Sequence, residues 1–305
     1  MLKLLLRKLL QGLLMLFAVS AITFALLSAA GGDALTALRD NPQVSEKTIE
    51  QLRSVYGLDK PMISRYGTWL TSAVSGDLGE SMAFRMPVAS LVWSRFLNTL
   101  LMGVIALIIS VGGSLFLAIW ATHARSKWLD RVIELLIFLT ASTPRMVLAL
   151  VALLLSLSLV TSESNYLFQL IAGAIVLAVP LISIMLAQLK NGLDEVMFED
   201  YIRTARAKGL SEWSIIAKHA LRPSLSPFLT VAGLSLGGLL GGSVIVESVL
   251  GWQGIGALMV SAIRGRDVPV VMGVVLVASA AVCFGNALAE ILQFANDARI
   301  RTSDR

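Results

Sequence analysis

The chain has 305 residues, of which 56% are Ala, Val, Ile, Leu, Met, Phe, Trp, Tyr or Cys and 15% are charged, with a mean hydropathy of +0.78. A soluble domain carries about 25% charged and 45–50% apolar residues, so this composition argues against a water-soluble enzyme. The 25 basic and 20 acidic residues punctuate apolar runs and form no stripe that could follow nucleic acid. The single cysteine, Cys283, excludes an internal disulfide framework and a cysteine-based zinc site.

A helix needs about 20 apolar residues to cross the hydrocarbon layer. Runs of that size occupy Leu9–Gly32, Phe96–Thr122, Ser164–Leu189, Pro223–Val246 and Val268–Ala289. A sixth, Val132–Val160, is interrupted by Glu134 and Arg145. Barrel strands would be about ten residues long and alternating. The expectation is an all-α integral membrane protein with six transmembrane helices. The first run, preceded by Lys3, Arg7 and Lys8, is longer than the 7–15 residues of a signal-peptide core and reads as a retained span. With the N-terminus inside, fifteen of the twenty-five basic residues fall on the cytoplasmic side, which puts both termini there.

Two hydrophilic excursions separate the spans. The external one, about residues 33–95, offers Ser45 as a cap for a short helix Glu46–Val55. Turns at Gly57, Pro61, Gly76 and Gly79 follow. The internal one, about residues 190–222, reads as a helix over Glu199–Lys208 ended by Gly209, then a second helix capped by Ser211 and stopped at Arg222-Pro223. Arg203, Arg206 and Lys208 charge this elbow, while Ala205 and Ala207 keep it slim. By itself it reads more readily as a solvated loop than as a partner-binding knuckle.

Single residues inside the spans carry weaker signals. Pro144 and Pro180 each remove a helical hydrogen bond and are expected to bend their helices. Gly233, Gly237, Gly238, Gly241 and Gly242 space small residues for close helix approach, against a second subunit, along a pathway, or within this chain. Arg145 lies about 20 Å along its span at 1.5 Å per residue. It reads as a pathway-facing cation or as a structural pair; Glu247 is a candidate partner, displaced axially by about 13 Å on the same rise. Trp128, Trp213 and Trp252 suit interfacial anchoring. His123 and His219 stand apart with no flanking ligand cluster and read as non-ligands.

The elbow Tyr201-Ile202-Arg203-Thr204-Ala205-Arg206-Ala207-Lys208-Gly209-Leu210-Ser211 closely resembles the "EAA" loop of permease subunits of binding-protein-dependent ABC importers, in the dipeptide/oligopeptide/nickel branch. Arg203-Thr204-Ala205 takes the E-A-A positions, Gly209 the glycine and Leu221 the leucine. His219 and Arg222 replace the family's isoleucine and proline. Further resemblance lies in Gly32-Asp33, Tyr56-Gly57-Leu58-Asp59-Lys60-Pro61, Gly76-Asp77-Leu78-Gly79 and Leu97-Asn98-Thr99-Leu100. It continues in Gly242 to Glu247, in the loop Trp252-Gln253-Gly254-Ile255-Gly256, and in Arg266-Asp267-Val268-Pro269. The connection Thr161–Tyr166 is shorter than in many members, and the tail from Asn296 departs from the family's ending.

The resemblance implies a non-catalytic subunit forming half of a pathway for peptides or a related solute such as nickel. It divides the chain into 1–30 (first span), 31–95 (external segment) and 96–305 (a five-helix core with a coupling loop at about 190–224). It assigns ATPase coupling to Arg203–Ser211 and an outer loop to Glu247, Trp252, Gly254 and Gly256, while the pathway reading of Pro144, Arg145, Gly237 and Gly241 rests on the residues themselves. Expected partners are a second homologous permease, two ATPases, an extracytoplasmic solute-binding protein and the lipid bilayer, with no nucleic acid. No G-x-x-x-x-G-K-[ST] loop occurs, so no cofactor is expected in this chain, and ATP and Mg fall to the ATPases. The implied location is a bacterial or archaeal cytoplasmic membrane, the inner one in a Gram-negative cell. A secondary transporter or channel is the alternative reading.

Overall fold

The computed structural model describes residues 2–30, 45–55, 59–159 and 165–296. The Gly32-Asp33 and Tyr56-Gly57-Leu58 motifs, most of the Thr161–Tyr166 connection, and the tail with Arg299, Arg301 and Arg305 lie outside these residues. Among the described residues the regular structure is helical: α1 (Leu2–Ala29), α2 (Glu46–Val55), α3 (Met62–Val74), α4 (Val88–Ala124), α5 (Lys127–Ser142), α6 (Arg145–Leu159), α7 (Asn165–Met197), α8 (Asp200–Ala207), α9 (Glu212–Ile215), α10 (Leu221–Leu250), α11 (Ile255–Arg264) and α12 (Val268–Asn296). A single π-helical turn, Ile216–Ala220, joins α9 to α10.

Helices α1, α4, α7 and α12 are each long and apolar enough to cross a membrane. The other two expected spans are bent pairs. The run Val132–Val160 is broken between Ser142 and Arg145, and α5 and α6 diverge by 94°. Thr143 is extended there, with φ −89° and ψ 119°, because a residue before proline is pushed out of the helical region. Pro144 therefore breaks its helix instead of bending it, whereas α7 continues through Pro180.

A second expectation is corrected at Pro223. The chain does not stop there; α10 starts at Leu221 and runs through Pro223 and Pro227. Pro223 lies just past the π-helical stretch, inside a helix that runs on unbroken from α9, so its missing N–H removes one helical hydrogen bond without ending the helix.

The chain forms two compact units, residues 1–99 with 253–283, and residues 100–252 with 284–305. In the second, α7 is the central helix, two-thirds of its apolar window being buried. Met102, Met185, Leu186, Leu189 and Leu193 fill this core. Gly233 lets α10 meet α12 so closely that a Cβ would lie 2.7 Å from Ala289 Cα. In the first unit, Leu78, Val88 and Val92 of the α3–α4 connection and α4 pack with Ile255 and Leu258 of α11 and Val270 and Val271 of α12. Helix α3 fills the stretch between Pro61 and the expected turns at Gly76 (φ +88°) and Gly79 (φ +86°), both of which form. Its apolar spacing, Ile63, Leu70 and Val74, is the signal that reveals it.

Candidate functional site

The elbow forms as a compact body. Glu199 precedes α8 in an extended conformation, and the helix closes on Gly209 at φ +77°. The Gly209 N–H donates to the Arg206 carbonyl (2.9 Å) and the Leu210 N–H to the Ala205 carbonyl (3.3 Å), the paired closure in which only glycine is unstrained at the left-handed position. Ser211 then caps α9, its hydroxyl accepting from the Ser214 N–H at 3.3 Å. These three features follow from the sequence reading, the ends of α8 to within a residue; the second helix, expected to stop at Arg222-Pro223, instead runs on into α10.

One face of α8 is rooted in the core. Ile202 and Ala205 are buried together with Ile215 and Ala220, so the alanine that closes the Arg203-Thr204-Ala205 triplet is small because it packs inward. Arg203, Thr204, Ala207, Lys208, Gly209, Leu210 and Ser211 are exposed. Nothing lies within 4 Å of a Cβ built at Gly209, so the constraint there is backbone conformation and not crowding. Partial burial, with the Glu199 carboxylate nearby, raises the Tyr201 phenol above its ordinary value, and it stays protonated at neutral pH.

Charges that the sequence left scattered tie the elbow to the end of α4, and a second set joins α5 to α7 beside it. Glu212 receives Arg206 Nε at 2.9 Å and pairs with Arg125 Nη2 at 2.8 Å. Arg125 sits at φ +48° just after α4. Lys190 bridges Asp130 (3.1 Å) and Asp194 (2.8 Å). Arg125, Asp130, Lys190, Asp194, Arg203 and Arg206 line a cavity of about 390 Å³. The spacing in sequence, from 125 to 212, gave no sign that these charges meet.

The remaining predicted positions scatter. Arg145 opens α6 at the break, so its depth along a straight span has no meaning. Its guanidinium lies against Gly242, where a Cβ would fall 2.9 Å from Cζ. It forms no ion pair with Glu247, which is fully buried. Gly238 and Gly241 have nothing within 4 Å of a built Cβ, and Gly237 is half-buried.

Trp252 is corrected from interfacial to buried: it is 2% exposed, and its ring meets Tyr166 at 4.8 Å. Its N–H bonds the Glu247 carbonyl (2.9 Å) where α10 ends on Gly251 at φ +69°, which turns the ring into the packed interior. Gly254 precedes α11 and Gly256 lies in its first turn, both buried. Gln253 is held by Asn98 Nδ2 at its carbonyl (2.8 Å) and by Arg95 Nη1 at Oε1 (2.7 Å).

An anchor absent from the expected site lies in the first unit. Asp267 is fully buried. Its Oδ2 accepts from Ser81 Oγ (2.6 Å) and the Ala83 N–H (3.1 Å). Its Oδ1 faces the Val270 N–H at 3.5 Å, in the first turn of α12. The loop it holds turns tightly, with Val88 N–H to the Gly79 carbonyl at 2.9 Å and Ser81 N–H to the Met86 carbonyl at 3.0 Å.

Residues 114–302 match the family described as binding-protein-dependent transport system inner membrane component, and residues 1–103 match its N-terminal counterpart. The oligopeptide transport system permease protein AppB of Bacillus subtilis is 32% identical over 309 residues, covering 96% of this chain and 98% of AppB. The glutathione transport system permease protein GsiC of Escherichia coli O6:H1 is 32% identical over 290 residues, covering 94% of each. Among solved structures, an amino acid ABC transporter chain aligns with a TM-score of 0.52 at 17% identity, covering 68% of this chain and 94% of that one. At that identity the structural match speaks for the fold alone.

Proposed function

The chain belongs to the family of inner-membrane permease components of binding-protein-dependent ABC importers, and from that premise we propose that it forms half of a translocation pathway for peptides. Its relatives are named for oligopeptide and glutathione transport, which supports peptide over nickel or another small solute. The other half is a second homologous permease, with two ATPases below that hold ATP and Mg and a solute-binding protein above. The excess of basic residues near the elbow and the N-terminus supports both termini and the elbow facing the cytoplasm.

The observation that carries the coupling role is the two-sided elbow. Ile202, Ala205 and Ile215 are buried in the transmembrane core, while Arg203, Thr204, Ala207, Lys208 and Leu210 are offered outward. A short helix rooted on one side and docked on the other transmits movement as a rigid body. Closure of the ATPases would push α8, and the π-helical junction would pass that displacement directly into α10. Arg145, cationic at a helix break beside Gly242, is assigned to the pathway wall, where it would attract a peptide carboxylate. A secondary transporter leaves the elbow without a purpose.

The test is gentle extraction of the tagged chain from its native membrane, with mass spectrometry of what accompanies it. An ATPase and a second six-span permease are expected. Gly209→Asp should release the ATPase and leave the permease pair intact. Recovery of the chain alone, or only with copies of itself, would overturn the reading. Transport by Arg145→Met at the wild-type rate, in a stably assembled complex, would remove Arg145 from the pathway.

A further inference from the structure

Helix α3 is amphipathic in an unusual way, with three faces. Tyr66, Trp69 and Ala73 form the first. Tyr66 meets Phe17 at 6.3 Å and Phe24 at 5.4 Å between ring centroids, and its hydroxyl bonds Ser20 Oγ at 2.9 Å. Ile63, Gly67, Leu70 and Val74 form the second, within about 60° of arc at 100° per residue. Ile63 is 85% and Val74 84% exposed, and nothing lies within 4 Å of a Cβ at Gly67. The third face carries Arg65, Thr68 and Thr71.

The contacts on α1 fix how deep α3 sits. Phe24, Ser20 and Phe17 lie 5, 9 and 12 residues before the end of α1 at Ala29, about 8, 14 and 18 Å along the helix axis at 1.5 Å per residue. All three belong to the 24-residue apolar stretch Leu6–Ala29. A hydrocarbon layer of roughly 30 Å takes up most of that stretch. The Tyr66 hydroxyl therefore meets Ser20 inside the bilayer, where an unpaired hydroxyl would be costly.

The polar face is consistent with that depth. Thr68 Oγ1 donates to the Ser64 carbonyl (2.9 Å), and Thr71 Oγ1 to the carbonyls of Gly67 (3.1 Å) and Thr68 (2.8 Å), so these hydroxyls need no water. Arg65 lies 5.7 Å over the Phe24 ring, toward the Ala29 end of α1. There a long side chain can carry its charge to the interface.

We infer that α3 is embedded in one leaflet beside α1, with Ile63, Gly67, Leu70 and Val74 covered by lipid acyl chains. Helix α1 itself exposes apolar side chains, among them Leu13, Phe17 and Ile22. A segment that hydrophilic neighbours make look external is thus a monotopic element. The inference needs only that α1 spans the bilayer and is independent of the coupling role of the elbow.

The experiment uses the full permease with its partner subunits, reconstituted in bilayers, in a Cys283→Ala background. Nitroxide labels at Ile63→Cys and Val74→Cys report separately, with Leu13→Cys as the lipid reference and Gln51→Cys on α2 as the water reference. Oxygen should relax both α3 labels several-fold more than chromium oxalate does, as at Leu13→Cys. Relaxation by chromium oxalate, as at Gln51→Cys, would overturn the inference. Shielding from both reagents would overturn it too, because a protein partner and not lipid would then cover the stripe.

Discussion

The elbow and the loop anchored by Asp267 are both tied down by carboxylates, yet the two carboxylates work differently. Glu212 is about one-third exposed and shares Arg125 and Arg206; ion pairs of side chains that stay partly exposed fix direction while contributing little energy. Asp267 is fully buried and takes bonds from one hydroxyl and one backbone N–H near 3 Å. A buried acceptor of that type is expensive to lose. The elbow is therefore a body whose shape comes from backbone geometry, with charges orienting it. The loop around Ser81 is a body whose position depends on one buried charge.

The sharpest way to break this contrast is Asp267→Ala. Ser81 Oγ and the Ala83 N–H lose their acceptor, and a loss of about 2–3 kcal/mol is expected, read by thermal unfolding of the purified complex. Cleavage within residues 81–86 should appear under limited proteolysis; an unchanged transition would mean that the loop is held by packing alone. Ser81→Ala removes a hydrogen bond to a charged group and should cost about 1.5 kcal/mol, a smaller step on the same assay.

On the elbow side, Gly209→Ala adds a Cβ at φ +77° with no neighbour to strike. It should cost about 1 kcal/mol, with transport-coupled ATP hydrolysis falling further than stability does. Equal falls in both would show that the glycine only closes a helix. The smallest effect belongs to Glu212→Gln. Its stability change should stay below about 1 kcal/mol, while ATPase coupling becomes less sensitive to added salt than in the parent. Persistence of the full salt response would assign that response to other charges.

The shape of the elbow was legible because its signals are local. Gly209 ends a helix within four residues of the carbonyls it satisfies, and Ser211 caps within three. Spans were legible for the same reason, since twenty apolar residues in a row need no tertiary information to mark a membrane crossing. Pro144 was legible as a disturbance, but whether a proline bends, breaks or passes depends on what surrounds it. Pro180 and Pro227 lie inside helices that continue.

What the amino-acid sequence determined unaided was a six-run membrane chain with a capped helical elbow and a resemblance to importer permeases. Tertiary structure alone decided that Arg125, Arg206 and Glu212 meet, that Ser81 reaches Asp267 across 186 positions, and that Gly242 makes room for Arg145. It also turned Trp252 inward and laid α3 against α1. The physical reason is range. Periodicity, caps and turn conformations act over a few residues and leave their mark in the order of side chains. Helix contacts join residues far apart in the chain, and no local pattern records which ones will touch.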